Sequence, residues 1–503
     1  MKKVLIMLTI LTLIAVMIAA CGKRGAQPVT VTLLLLGNKP TNGRADAAIA
    51  EINKITAERI GAVLKTRYIE WADWQNQYQL AVASGDRGID LVITATDWLY
   101  AWEIARRGGF YELTPELLQQ YAPKTWAEIP PAHWELCGEN GKIWFIPEDQ
   151  YSQFTNHGMY WRKDWAAETG LKDVAVFEDL EKYWDAVKKN HPEAYPWDVN
   201  GAEYLETGLI DGYLRGKKQV QPIIGVAAGN FLIFQYEAGD PYTVVSYFME
   251  GNELVEAARL FDRWAKKGFW REDVLNYRGE TRNLFLAGLS GSDQHHTNTF
   301  LSLREQMDKE QPGSDIQMFW WGRENNNVNK DLITHGAMAV NAASRNVEKA
   351  LRMYDLLRND KEIYLLYNYG IEGKDYTVNP DGTFSRPAGY NMLTDNMDTN
   401  FWGGRMDAFE PVWDTWWAGR QDFIRHMNSF AKEYPLGKFA FDNSKVSAEM
   451  SALGDVCATR LPSIQFGKTG NPEKAVADFR AALRRAGFDK VKKEIQTQLD
   501  LLK

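Results

Sequence analysis

The sequence predicts an α/β protein of more than one domain, and three observations carry that expectation. The chain has 503 residues, more than one hydrophobic core usually organises. Its N-terminal part alternates strand-like and helix-like runs in the order βαβαβ, which implies parallel strands joined by crossover helices in a doubly wound sheet. Its C-terminal segment reads mostly as helices.

The elements follow in order. Val29 to Leu36 (VTVTLLLL) is a β-rich run closed by Gly37-Asn38-Lys39-Pro40. From about Arg44, the residues Ala48, Ile49, Ile52, Ile55 and Ile60 share one face at helical spacing, and Gly61 is placed to stop the helix. Ala62 to Ile69 reads as a second strand. Trp71-Ala72-Asp73-Trp74 leads into a helix through Tyr78, Leu80 and Ala83, ended by Ser84-Gly85. Ile89 to Thr94 is a third strand, apolar enough to be buried on both faces. Lys142 to Pro147 reads as a strand leaving this first unit, and Tyr160-Trp161-Arg162-Lys163-Asp164-Trp165 opens a second α/β region with a helix near Asn252–Lys267. A strand at Gly336–Asn346 reaches a helix whose stripe is Val347, Ala350, Leu351, Tyr354 and Leu357. Tyr376 to Tyr390 predicts a hairpin around Asn379-Pro380-Asp381-Gly382. Pro472–Ala486 and Val491–Leu502 read as helices. There is no internal repeat or long low-complexity linker.

The first residues are of another kind. Met1-Lys2-Lys3 is positive, Val4 to Ala20 carries no charge, and the run ends Ile18-Ala19-Ala20-Cys21. Charged start, short apolar core and small-residue cleavage site are the marks of a secretory signal. An apolar run at the short limit of about 17–25 residues also suits a membrane span, but the cysteine favours cleavage. The pattern resembles the lipobox of bacterial lipoproteins, which implies a diacylated Cys21 as the mature N-terminus. Two acyl chains anchor stably where one holds marginally. The polar stretch up to Pro28 reads as a tether. Losing Lys2 and Lys3 takes the formal charge from −8 to −10, which disfavours nucleic-acid binding, since that needs a basic face. Cys137 and Cys457 either pair or stay as buried thiols. Nineteen tryptophans are mostly core and interface, yet exposed Trp and Tyr rings also suit stacking on the C–H faces of sugars.

Several segments together resemble the cluster-B extracellular solute-binding proteins, the group that includes maltose-binding protein. They are Ser84-Gly85 with Ile89-Asp90-Leu91-Val92, the Gly108–Leu113 turn with Tyr121-Ala122-Pro123, Gly141–Pro147, Tyr160–Asp164, Phe285–Gly288, and Ala342-Ala343-Ser344 with its helix. Leu357–Glu362 and Tyr369–Tyr376 are similar to one Gram-positive lipoprotein subfamily, which ends in a helical domain of unassigned function; Phe441-Asp442, Glu449-Met450 and Gln496–Asp500 match that ending. The resemblance implies a two-lobe periplasmic-binding-protein-like fold of type 2 with a hinge, plus a helical C-terminal extension. It divides the chain into a signal peptide (1–20), a lipidated tether (21–28), the first part of lobe 1 (29–147), lobe 2 (148–330), a return to lobe 1 (331–375), and a mainly helical region packing on lobe 2 (376–503). It also implies ABC permease subunits as partners, an oligosaccharide as ligand, and a monomer on the extracellular face of the cell membrane, held through diacylglyceryl-cysteine.

Candidate ligand contacts follow from topology. In doubly wound sheets ligands bind beyond the carboxyl ends of strands, here Gly37–Pro40, Glu70–Trp74 and Ala95–Trp98. Trp74 and Trp98 are stacking candidates, with core packing as the alternative, and Trp71 ranks below them. Asp97 suits vicinal hydroxyls or a helix cap, and Asn38 and Lys39 suit ligand contact or a solvated turn. His295 and His296 occupy a position that often contacts ligand in the resembled family. As a metal site they fail, because adjacent side chains diverge and no HxxxH or carboxylate spacing accompanies them. Tyr151 follows the crossover strand. Trp320-Trp321 and Trp402 with Arg405 are aromatic clusters where core and cleft stay open, and Trp413, Trp416 and Trp417 have helical spacing and read as core. No cofactor motif occurs. Neither a GxSxG nor a recognisable Cys–His signature is present, and the neighbours Glu148-Asp149 cannot flank a glycosidic bond. The expectation is a non-enzymatic binding protein; the alternatives are a sensory ligand-binding lipoprotein and a secreted glycoside hydrolase.

Overall fold

The computed structural model describes residues 27–503 apart from 72–73, 151–153, 202–207, 280 and 398. The expected signal peptide, Cys21, most of the tether and Tyr151 lie outside the described residues. No helix among the described residues is long and apolar enough to cross a membrane.

Lobe 1 is built on β1 (Val29–Leu36), α1 (Arg44–Ile60), β2 (Ala62–Ile69), α2 (Trp74–Ala83), β3 (Leu91–Thr94), α3 (Ala101–Arg106) and β4 (Ile146–Pro147). Helices cover both faces of its sheet, which is why β1 ends in the continuous apolar run Leu33 to Leu36. Val31, Leu33 and Leu35 face one core with Ile52 of α1, whereas Leu34 and Leu36 face another with Tyr78 and Val82 of α2. Two expectations shift. The third strand begins at Leu91, not Ile89. The expected strand Lys142–Pro147 is split: Lys142–Ile143 folds back on Gly138–Glu139, and only Ile146–Pro147 joins the main sheet. The cause is the Asn140-Gly141 pair, whose φ of 54° and 78° closes a tight hairpin of the kind Asn-Gly favours.

Lobe 2 contains β5 (His157–Arg162), α4 (Asp179–Asn190), α5 (Leu209–Lys217), β6 (Val220–Pro222), β7 (Gln235–Glu237), β8 (Asp240–Val245), α6 (Glu253–Lys267), β9 (Ser292–His296), α7 (Thr297–Glu310) and β10 (Ile316–Trp320). One sheet runs β9-β5-β10 and a second runs β8-β7-β6, both antiparallel. The chain then returns to lobe 1 as β11 (Ala337–Val340), α8 (Val347–Asn359) and α9 (Lys361–Tyr369). Strand β11 completes the five-stranded order β2-β1-β3-β11-β4.

The C-terminal helices are α10 (Arg420–Asn428), α11 (Ser447–Gln465), α12 (Pro472–Arg485) and α13 (Phe488–Leu499). The last three share the large core of lobe 2. Phe234 stacks on Phe488 with centroids 5.1 Å apart, and the Trp270 indole donates to the Phe466 carbonyl at 3.2 Å. The region beginning at 376 was expected to pack on lobe 2 throughout, and its first part does not. Asn400 donates to the Leu36 carbonyl at 2.7 Å, Tyr354 donates to Gly403 O at 2.6 Å, and Phe401 lies in a lobe 1 core. Trp413, Trp416 and Trp417 form no helix and are only half-buried, because Trp413 pairs with Phe384 as an isolated bridge. Both Cys137 and Cys457 are buried free thiols.

Where the described segments that join the lobes run side by side, backbone hydrogen bonds tie them together. Thr155 N–H donates to Asn329 O at 2.9 Å, Glu148 N–H to Gly336 O at 2.8 Å, and Lys330 N–H to Lys432 O at 2.8 Å.

Candidate ligand-binding cleft

Beside these crossings lies a cavity of about 270 Å³ between the lobes. Lobe 1 supplies Trp74, Asp97, Trp98 and Tyr100 from the loops beyond β2 and β3, and the crossings supply Asp331 and His335. Lobe 2 supplies His157, Arg215, Asn230 and His296.

The tryptophans are placed by strand ends and by one another. Trp98 meets Trp74 edge to face at 5.4 Å, Trp402 at 5.7 Å, and Trp71 in a stacked pair at 6.3 Å. The resulting wall draws on three separate loops, and Trp71 is 39% exposed. The Trp98 indole N–H donates to the His335 carbonyl at 3.0 Å, which fixes the ring.

Asp97 and His335 are joined directly. His335 Nδ1 lies 2.7 Å from Asp97 Oδ2 and 3.6 Å from Asp331 Oδ2. Burial alone would lower the imidazole pKa, but Asp331 and Asp97 raise it to about 10, so His335 is charged at neutral pH. The other Asp97 oxygen, Oδ1, is buried without a hydrogen-bond partner. Such an acceptor is costly to leave unmade and suits a ligand hydroxyl. Asp97, Asp331 and His335 also offer three ligand atoms within 4.8 Å of one another, but His335 Nδ1 is already engaged by Asp97 at 2.7 Å.

Across the cavity the histidines are neutral. Burial, then the Arg215 charge, lowers His157 to about 3, and burial holds His295 and His296 well below the ordinary value. The adjacent pair was expected to diverge, yet the His295 and His296 rings are 4.1 Å apart. They end β9 where it turns into α7; His296 Nδ1 accepts the Thr299 N–H at 3.2 Å, and His295 Nδ1 meets Thr299 Oγ1 at 2.9 Å. A shared cap draws the rings together.

Other candidates lie elsewhere. Trp320 ends β10 and Trp321 follows it, and they are buried on opposite sides, Trp320 against Phe423 and Phe430 and Trp321 beside Phe177 and Gly212. Asn38 is exposed and accepts from Trp71 N–H at 3.4 Å, while Lys39 pairs with Asp46 at 3.3 Å on the surface. Arg405 is engaged by Asp407 at 2.6 Å, outside the cavity lining. Trp402 backs the tryptophan wall.

The family model for bacterial extracellular solute-binding proteins matches residues 47–368, and a domain of unknown function matches residues 435–503. The chain belongs to the bacterial extracellular solute-binding proteins. It is similar to a carbohydrate ABC transporter substrate-binding protein of Streptococcus pneumoniae, 23% identical and covering 96% of this chain and 94% of the relative. Among solved structures it is similar to the N-glycan transport solute-binding protein of Streptococcus pneumoniae, with TM-score 0.74, 19% identity, and 94% and 98% of the two chains covered. The same protein in complex with Man1GlcNAc gives a TM-score of 0.70 at 20% identity over the same shares of the chains. These relatives are binding proteins rather than enzymes, and the family is extracellular.

For a solute-binding protein of this kind, the crossing loop holds residues that sequence reasoning missed. Asp331 and His335 carry no periodic signal; their one cue is position, immediately before the strand that returns to lobe 1. Arg215 was missed because it lies on a helix, where its pairing with Asp211 at 2.8 Å reads as an ordinary i,i+4 contact.

Proposed function

We propose that the protein is a lipid-anchored substrate-binding component of an ABC importer that captures an oligosaccharide between its lobes and presents it to permease subunits. The observation that carries this reading is the interlobe cavity, where a tryptophan wall faces polar groups from the other lobe. Indole faces match the C–H faces of pyranose rings, and the unpartnered Asp97 Oδ1 is positioned as a hydroxyl acceptor. The charged groups are already engaged with one another, Asp97 and Asp331 with His335 and Arg215 with Asp211, which suits a ligand that brings hydroxyls rather than charge. The carbohydrate and glycan relatives support the same class. Diacylation of Cys21 would tether the binding domain beside the permease, and the protein acts as a monomer.

The test is isothermal titration of the mature chain against paired short and long glycans: Man1GlcNAc and Man5GlcNAc, maltose and maltohexaose, xylobiose and xylohexaose. Saturable binding of one series without hydrolysis supports the proposal. Hydrolysis, or no heat from any series, overturns it. For the anchor, labelled palmitate should enter the wild type and not a Cys21→Ser variant.

A further inference from the structure

A second cavity, about 550 Å³, lies behind the first and is walled by the C-terminal domain. The two share Asp97, Tyr100, Ala227 and Gly229 in their linings. Between them therefore stand two residues of lobe 1, Asp97 and Tyr100, and the short loop Gly225 to Gly229. That loop is pressed from both sides. A Cβ on Gly225 would touch Thr96 O of lobe 1 at 3.6 Å, and a Cβ on Gly454 of α11 would meet Gly229 N at 2.9 Å. Tyr100 holds a left-handed backbone, φ 56°, which a bulky residue adopts only when its surroundings impose it.

The second cavity joins three parts of the fold: α2 and α3 of lobe 1, the Gly225–Gly229 loop of lobe 2, and the start of the C-terminal domain. Arg106 secures that junction by donating to the carbonyls of Ala440 and Phe441, each at 2.7 Å, while pairing with Glu139 at 2.6 Å. Rings and hydrogen-bonding groups alternate in the wall, with Trp102 and Phe441 among Gln79, Glu103, Asn443 and Ser451. Burial raises the Glu103 carboxyl above its ordinary value against the opposing charges of Arg106 and Arg107. The size falls within the roughly 300–1,000 Å³ of small-molecule sites, and the wall is more polar than apolar, which suits a ligand rich in hydroxyls.

We infer that this cavity is a second subsite, formed with the C-terminal domain, that receives the further units of a neutral oligosaccharide whose end is held in the first. The inference rests on the oligosaccharide reading above. It assigns the C-terminal domain a ligand-facing role and the protein a preference for long or branched chains over disaccharides.

Ser451 is exposed on the second turn of α11 and lines only the second cavity, so a Ser451→Trp change fills that space without disturbing a core. The short and long members of whichever glycan series binds are titrated into wild type, Ser451→Trp and Asn443→Ala. In wild type the long member should bind at least about tenfold more tightly, about 1.4 kcal/mol. Both variants should lose that advantage while their affinity for the disaccharide and their melting temperature stay at wild-type values. Equal affinity of wild type for short and long members, or an advantage that survives Ser451→Trp, overturns the inference and leaves the sugar reading standing. No binding by wild type to any series removes both.

Discussion

At the scale of single residues, position at a strand end is what made the cleft legible. Trp74, Trp98 and Asp97, expected at strand ends, line the cavity, because a doubly wound sheet sends its strand-end loops to one edge. Trp320 and Trp321, open between core and cleft on sequence, fall to the core for a different reason. Successive residues of an extended chain point to opposite sides, and both sides are covered at the end of β10, so each ring is core. Two predictions belong here. Trp74→Ala should weaken binding of the recognised glycan by about 1–3 kcal/mol, the worth of burying a large apolar side chain. Titration calorimetry measures it, and unchanged affinity with an intact fold would reassign the ring to packing. His335, raised to about 10, binds a proton in the folded state where the unfolded chain, with an ordinary value of about 6.5, has released it. Its contribution is complete below about 6.5 and is lost as pH climbs through about 10. Urea unfolding of wild type and His335→Gln should therefore show a stability difference that is largest at pH 6 and shrinks toward pH 10. A difference constant over that range would mean the imidazole is not charged.

At the scale of elements, periodicity served well where one face of a segment was buried and badly where tertiary contacts set the backbone. Helices α1, α8 and α6 fall within a residue or so of their expected bounds, since each presents an apolar stripe and meets a stop such as Gly61 or Gly268, both left-handed. The strand expected over 142–147 failed because local turn chemistry at Asn140-Gly141 overrode its apolar content. The indole spacing of Trp413, Trp416 and Trp417 mimicked a helix that the bridge to Phe384 prevents. The C-terminal helices carry the clearest energetic consequence. Phe479, Phe488 and Leu453 are fully or nearly fully buried in one core with Phe234, Phe261 and Trp270, so lobe 2 has no closed core without them. A chain ending at residue 434 should lose its near-ultraviolet circular dichroism and expose apolar surface to a hydrophobic dye. Soluble protein with a cooperative unfolding transition would show instead that lobe 2 is self-sufficient.

At the scale of the whole molecule, the cavity and the crossings are two aspects of one arrangement. Among the described residues the joining segments are held by backbone hydrogen bonds between Glu148 and Gly336, Thr155 and Asn329, and Lys330 and Lys432. The walls that face one another across the cavity belong to different lobes. A hinge of a few backbone torsions can rotate such lobes without repacking either core. The ligand then contributes in proportion to its differential contact with the closed arrangement. Contacts to Trp74 and Trp98 on one side and to His296 and Arg215 on the other form together only when the lobes approach. Saturating glycan should thus lower the radius of gyration measured by small-angle X-ray scattering. Trp74→Ala should need proportionately more glycan to reach the same compact state, because the lost contact weakens binding and leaves the hinge intact. A radius of gyration that stays constant through saturation would mean that the lobes bind without closing, and that any permease partner must read something other than interlobe distance.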